Sequence, residues 1–198
     1  MKNLLIGFAF LSIVNGCNNS GTQAQPSQST DTTKKGKAYF PVLDFIKSEI
    51  SYVDSLPVGI MKYTTENGKT DSGYIKVPEF HQLAQEFISP ALQEELFEKE
   101  FSETSFFDNT TQYSNFLYST ANRNLNLHRV DVLSKPEDVV YNKVQSIYME
   151  KSFLQGDSTI IQKMYWKTGQ NFLINTEITT SKADVITRQV KVVWNSWK

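Results

Sequence analysis

The chain has 198 residues, with 20 basic and 21 acidic side chains and a formal charge of −1. A balance this close to zero argues against nucleic-acid binding, which requires a basic face. A single cysteine excludes an internal disulfide.

Lys2 is followed by an uncharged apolar run of eleven residues, Leu4 to Val14, and then by Asn15-Gly16-Cys17 and polar sequence. Such a run falls short of the ~20 residues that span a bilayer, and has the length of a secretory signal core. Val14-Asn15-Gly16-Cys17 resembles the bacterial lipobox: an aliphatic residue, a variable one, a small one and the acylated cysteine. This predicts that residues 1–16 are a signal peptide and that Cys17 becomes the lipidated N-terminus. The alternative, a secreted protein whose cysteine falls near the cut by chance, leaves a lone thiol without a role. Acylation of palmitate type on the thiol and the amine supplies three chains, more than the two signals that stable anchoring needs. Asn18 to Lys37 holds no aromatic and no large aliphatic residue. Residues 17–37 are therefore expected to form a disordered tether, with a span of ~25 Å r.m.s. as a flexible coil.

Residues 38–198 have the size of one domain, long enough to sustain a core without disulfides or metal. Pro41 to Asp54 sets Val42, Ile46, Ile50 and Val53 on one helical face, with Asp44, Lys47, Glu49 and Asp54 away from it. Ser55-Leu56-Pro57 ends that helix. Val58–Thr65 and Thr70–Val77 flank Asn67-Gly68, whose residues readily take the positive φ of a tight hairpin turn. Pro78 opens a second helix with Phe80, Leu83 and Phe87 inward. Ser89-Pro90 reads as an N-cap with proline at the first helical position, so a third helix is expected to run to about Lys99 with Leu92 and Leu96 aligned.

Beyond residue 101 the period falls to two. Strands are expected at 112–120, 125–133, 144–153, 159–167, 171–179 and 185–194, with turns near Asn122–Asn124, Gln155–Asp157 and Thr168–Gln170. Phe172, Ile174 and Ile178 share a face, as do Ile186, Val190, Val192 and Trp194 with Arg188 among them. The expected fold is α+β: an antiparallel β-meander with about three helices, mostly N-terminal, packed on one side.

Candidate chemistry is sparse. The two histidines are His81, beside the inward Phe80, and His128, in a strand with Arg129 and Asp131. Alternation would point His128 and Arg129 to opposite faces. No H-E-x-x-H, G-x-S-x-G, calcium loop or glycine-rich phosphate loop is present. Glu94, Glu95, Glu98, Glu100 and Glu103 cluster, but Glu94 and Glu95 suit a helix start and Glu95–Lys99 an i,i+4 pair, so a solvated helix face is expected. No catalytic residue, metal ligand or cofactor is assigned. Tyr165 and Leu173 fall opposite Trp166 and Phe172, and Phe106-Phe107, Trp194 and Trp197 add aromatic surface. Either both sheet faces are covered, one by the helices and one by the first hairpin, or an aromatic groove is exposed. Burial is the default.

Tyr39-Phe40-Pro41, Asp54-Ser55-Leu56-Pro57 and the hairpin MKYTTENGKTDSGYIK together resemble a group of envelope lipoproteins of the Bacteroidota type. SFFDNTTQYSNFLYS, RVDV, VQSIYMEK and YWKTGQNFLI continue the likeness over most of residues 39–197. That group has no established activity, so the resemblance implies an address and a fold but no site residue. Asn18-Asn19-Ser20 lacks the acidic run that serves such bacteria as a surface-export signal, which points to an outer-membrane protein facing the periplasm. The expected function is a non-enzymatic binding or assembly module with an envelope protein as partner. The alternatives are a periplasmic hydrolase acting on envelope glycan or peptide, with His128 and nearby acids, or a small-ligand carrier with an apolar cavity between helices and sheet.

Overall fold

The computed structural model describes residues 39–135 and 144–195. The expected signal peptide, Cys17 and the tether lie outside the described residues, as does Trp197.

Helix α1 spans Val42–Asp54 and buries Val42, Phe45, Ile46, Glu49, Ile50 and Val53. The four aliphatic positions read from spacing all face inward. Glu49 does too, contrary to its expected place on the polar side, because backbone and indole donors meet its carboxylate. Strands β1 (Ile60–Glu66) and β2 (Lys69–Ile75) pair through a turn in which Asn67 and Gly68 have φ of +46° and +80°. Helix α2 covers Val77–Ala84 and tightens into a 3-10 turn at Gln85–Phe87, burying Phe80, Ala84 and Phe87. Leu83 is half-buried.

The expected third helix is two elements. Ser89 does act as a cap, its hydroxyl accepting from the Ala91 N–H, but it opens only a 3-10 turn, Pro90–Leu92. Gln93 is extended (ψ 134°), and helix α3 then runs Glu94–Glu100. Leu92 and Phe97 are both buried. Five residues apart, they would stand about 140° apart on a continuous helix, so burying both requires the break.

Six of the seven remaining strands match the expected segments: β4 (Tyr113–Ser119), β5 (Leu127–Ser134), β6 (Val144–Gln155), β7 (Ser158–Lys167), β8 (Asn171–Thr179) and β9 (Val185–Val193). The seventh precedes them in the chain: β3 (Ser102–Asp108), in a stretch read only as having strand period. All nine join one antiparallel sheet in the order β2-β1-β9-β8-β7-β6-β5-β4-β3. The first hairpin therefore extends the sheet beside β9 and does not cover a face. The fold is α+β with the sheet predominant, and β3 to β9 form the expected meander.

Register explains the core. Met149, Met164, Ile174 and Val190 lie opposite one another across four strands, and Ile147, Trp166, Phe172 and Val192 form the next row. All eight are buried. Phe87 stands edge-on to Trp166 at 5.1 Å between ring centroids and lies 5.3 Å from Phe172. Phe80 lies 5.9 Å from Phe172 and 5.7 Å from Trp194. Farther along the sheet, Phe97 of α3 meets Tyr118 of β4 at 4.9 Å. These rings pack against one another where α2 and α3 meet the sheet.

Candidate functional site

Pleating sends successive side chains to opposite faces. With Met164 and Trp166 buried, Lys163, Tyr165 and Lys167 belong to the other face. Register extends that face into two rows. Asp131, Tyr148, Tyr165, Leu173, Lys191 and Tyr63 lie opposite one another in turn across β5, β6, β7, β8, β9 and β1. Arg129, Glu150, Lys163, Asn175, Gln189 and Thr65 form the adjacent row. Tyr148, Tyr165 and Leu173 are half-buried, while Tyr63 is 40% and Ile161 37% exposed. The aromatic residues expected in the core are thus divided: Trp166, Phe172 and Trp194 are buried, and the tyrosines of this face keep contact with solvent.

At the end of this face nearest the β1–β2 turn lies a cleft of about 360 Å³, lined in part by Thr65, Asn67, Ile161, Lys163, Asn175 and Gln189. The Gln189 amide donates to Asn175 Oδ1 at 2.8 Å, which fixes both amide planes. At the other end is a polar network. Arg129 grips Asp131 with two hydrogen bonds, Nε to Oδ1 at 2.8 Å and Nη2 to Oδ2 at 2.6 Å. Its guanidinium sits 5.8 Å from the centroid of the Tyr148 ring. The Tyr148 hydroxyl donates to Glu150 Oε1 at 2.5 Å. Burial, and then the bond to Glu150, push the Tyr148 phenol well above its ordinary range.

His128 enters the same network through a β-bulge. The pairing slips between Leu127 and Arg129, so His128 is the extra residue on β5. Its Nε2 lies 2.8 Å from Ser152 Oγ. Arg129 pairs with Glu150, two residues before Ser152 on β6 and on the same face. The two neighbours therefore serve one face, contrary to simple alternation. This brings a hydroxyl to His128, as a hydrolase would need, but the other parts are engaged elsewhere. The Ser152 N–H donates to the Asn126 carbonyl at 2.8 Å and is not free to face an oxyanion. Asp131 is held by Arg129 and Glu150 by Tyr148. Among the described residues no group bonds His128 Nδ1, so the imidazole has no orienting partner of the triad kind.

The other candidates are dispersed. His81 Nε2 pairs with Asp54 Oδ1 at 2.7 Å and ties α2 to the end of α1. Glu94 and Glu95 occupy the first turn of α3. Lys99 pairs with Glu100 at 3.7 Å instead of with Glu95, and Glu100 also accepts from the Asn122 amide at 2.8 Å. Glu98 accepts from the Tyr39 N–H, and Glu103 belongs to β3 beside Tyr118. Among the described residues, no three His, Cys, Asp or Glu side chains come together as a metal site would require.

Sequence reasoning did not foresee the burial of Glu49, Ser146, Lys151 and Gln162. Glu49 Oε2 accepts from Trp166 Nε1 at 3.2 Å and from the Gly169 N–H at 2.7 Å. Lys151 donates to the Glu86 carbonyl, and Gln162 donates to Glu86 Oε2 at 3.3 Å. Burial holds the Lys151 ammonium below the ordinary lysine range, with the Glu86 charge opposing. The one sequence signal for Lys151 and Gln162 is parity: each falls at an inward position of its strand. Comparison with protein-family models, with curated proteins and with solved structures returns no match.

Proposed function

We propose that this chain is a lipid-anchored binding or assembly module of a bacterial envelope, held through Cys17 to the outer membrane on its periplasmic side. In this reading the helices pack on one face of the sheet and the opposite face meets an envelope protein. The observation that carries it is the pair of register rows from β5 to β1, with half-exposed Tyr148, Tyr165 and Leu173 beside Arg129, Lys163, Asn175 and Gln189. Tyrosine and arginine beside amides, over a rigid sheet, are what protein interfaces favour. Support for the division of faces comes from Phe80, Phe87 and Phe97, whose ring contacts fall on residues of the buried parity. The lipobox-like Val14–Cys17 and the lipoprotein resemblance supply the address. Among the described residues, no helix is long and apolar enough to cross a membrane.

The test is photocrosslinking in intact cells from positions Tyr165 and Tyr63, with Lys47 on α1 as control, in wild-type and Cys17→Ser chains. The expected result is a discrete protein adduct from Tyr165 and Tyr63, absent from Lys47 and lost with the anchor. Adducts to bulk lipid alone, or equal labelling from Lys47, would overturn the reading. The His128–Ser152 contact favours a second reading, a hydrolase. A fluorophosphonate that labels Ser152, with labelling lost in His128→Ala, would establish that one; on the binding reading Ser152 stays unlabelled.

A further inference from the structure

The face that carries Tyr148 and Tyr165 is unevenly charged. At its β5–β6 end the ionic groups are engaged within the fold: Arg129 holds Asp131, and Glu150 accepts from the Tyr148 hydroxyl. Lysines dominate the β7–β9 end. Lys163 and Lys167 stand two residues before and after Tyr165 on β7. Lys191 on β9 is opposite Leu173, which is opposite Tyr165. Among the described residues, no hydrogen bond or ion pair engages any of these three ammonium groups. Glu150 is opposite Lys163 in register, yet no ion pair joins them. Among the described residues of β7–β9, the one carboxylate on this face is Glu177, opposite Ile161. Three lysines therefore surround a centre made by the half-buried Tyr165 and Leu173.

We propose that this part of the face takes an extended acidic segment of the partner protein, with an apolar side chain on Tyr165 and Leu173 and carboxylates on the lysines. The inference deepens the binding reading above and rests on it. Spacing sets the pattern of the segment. Alternate side chains of an extended chain stand ~6.7 Å apart on one face, and Lys163, Tyr165 and Lys167 repeat at that interval. A segment lying along β7 meets Lys163 and Lys167 with residues four apart, and Tyr165 with the residue midway between them. Its sequence is then acid, apolar, acid at every second position. Lys191, two strands away from Tyr165 at ~10 Å, adds to the positive field over Leu173. Lys163 and Lys167 lie ~13 Å apart along the strand, beyond the ~8 Å screening length at physiological salt, so the free face holds both without strong repulsion. Each carboxylate of the segment answers a cation that no side chain pairs, an arrangement that steers association and rejects wrong partners. An anionic bilayer fits this face less well. It would press on Glu150 and Glu177 as well as on the lysines, whereas a single segment along β7 passes between those two carboxylates.

A zero-length carbodiimide tests this, because it joins an amine only to a carboxylate in contact with it. In membranes from cells expressing the full chain, carbodiimide should couple Lys163 and Lys167 to Asp or Glu residues four positions apart, in the same protein that photocrosslinks from position Tyr165. Lys163→Glu and Lys167→Glu should each cut the Tyr165 photoadduct about tenfold, and Lys163→Arg should keep it. Lys47→Glu on α1 makes the same change in net charge and should leave the adduct intact. Circular dichroism should be unchanged in all four variants. A Tyr165 adduct indifferent to both reversals, or no coupling of Lys163 and Lys167 to its protein, would overturn the acidic-segment inference and leave the binding surface standing. An adduct to lipid alone, or no adduct from Tyr165 in the otherwise wild-type chain, would overturn the binding reading and this inference with it.

Discussion

Glu49 shows what a single carboxylate does in this protein. It joins α1 to the β7–β8 turn by bonding both the Trp166 indole and the Gly169 N–H. Removing it strands two buried donors, so Glu49→Ala should lower unfolding free energy by about 2–3 kcal/mol. Glu49→Gln keeps one acceptor oxygen and should lose less; urea denaturation of the two variants checks the order. Lys151 gives a pH dependence. Its folded pKa lies below the unfolded value of about 10.4. Between those two values the unfolded chain holds a proton that the folded chain lacks, so stability rises with pH across that window. Below the window the folded state carries the full cost of the buried ammonium. The stability of wild type minus that of Lys151→Met should therefore increase toward pH 10, read as a difference in urea midpoints. Neither residue was legible as a tie from the sequence. Each depends on a donor or acceptor distant in the chain, 117 positions for Glu49 and Trp166, and local spacing carries no such information.

At the level of elements, backbone chemistry decided what could be read. The β1–β2 turn was legible because Asn67-Gly68 answers a conformational demand that few residues meet. Gly68 at φ +80° has open space around it, so Gly68→Ala should cost about 1 kcal/mol from backbone strain alone. Gly73 also has open space but no positive φ, and Gly73→Ala should be neutral or slightly stabilising. Thermal melts of the pair separate strain from crowding. α1 and the strands from β4 onward were legible because burial on one side imposes a period. The break at Gln93 was not, since it follows from the joint burial of Leu92 and Phe97 against the rest of the fold. β3 escaped definition because an edge strand with mostly exposed residues has little hydrophobic alternation to display. The bulge at His128 escaped for a related reason: one inserted residue leaves composition unchanged and reverses which face every later side chain meets.

For the molecule as a whole, anchoring and folding are separable in the proposed reading. Cys17→Ser should move the protein to the soluble fraction with an unchanged circular dichroism spectrum; a variant that stays with membranes counts against the lipid anchor. The sheet order also has a consequence for synthesis. β1 pairs with β9, residues 61–66 against 188–193, so the first of the described strands stays without its second neighbour until the ninth exists. The meander can grow behind the ribosome hairpin by hairpin, while the first hairpin waits for more than a hundred residues. Closure is then a single event, the docking of β9 between β1 and β8, not gradual accretion. A chain stopped after Ser181 retains eight of the nine strands and should still fail to hold β1 and β2, leaving both them and β8 open to proteolysis. In a sheet built this way one late pairing decides the rest: protease resistance of the first hairpin should appear only once β9 has docked between β1 and β8.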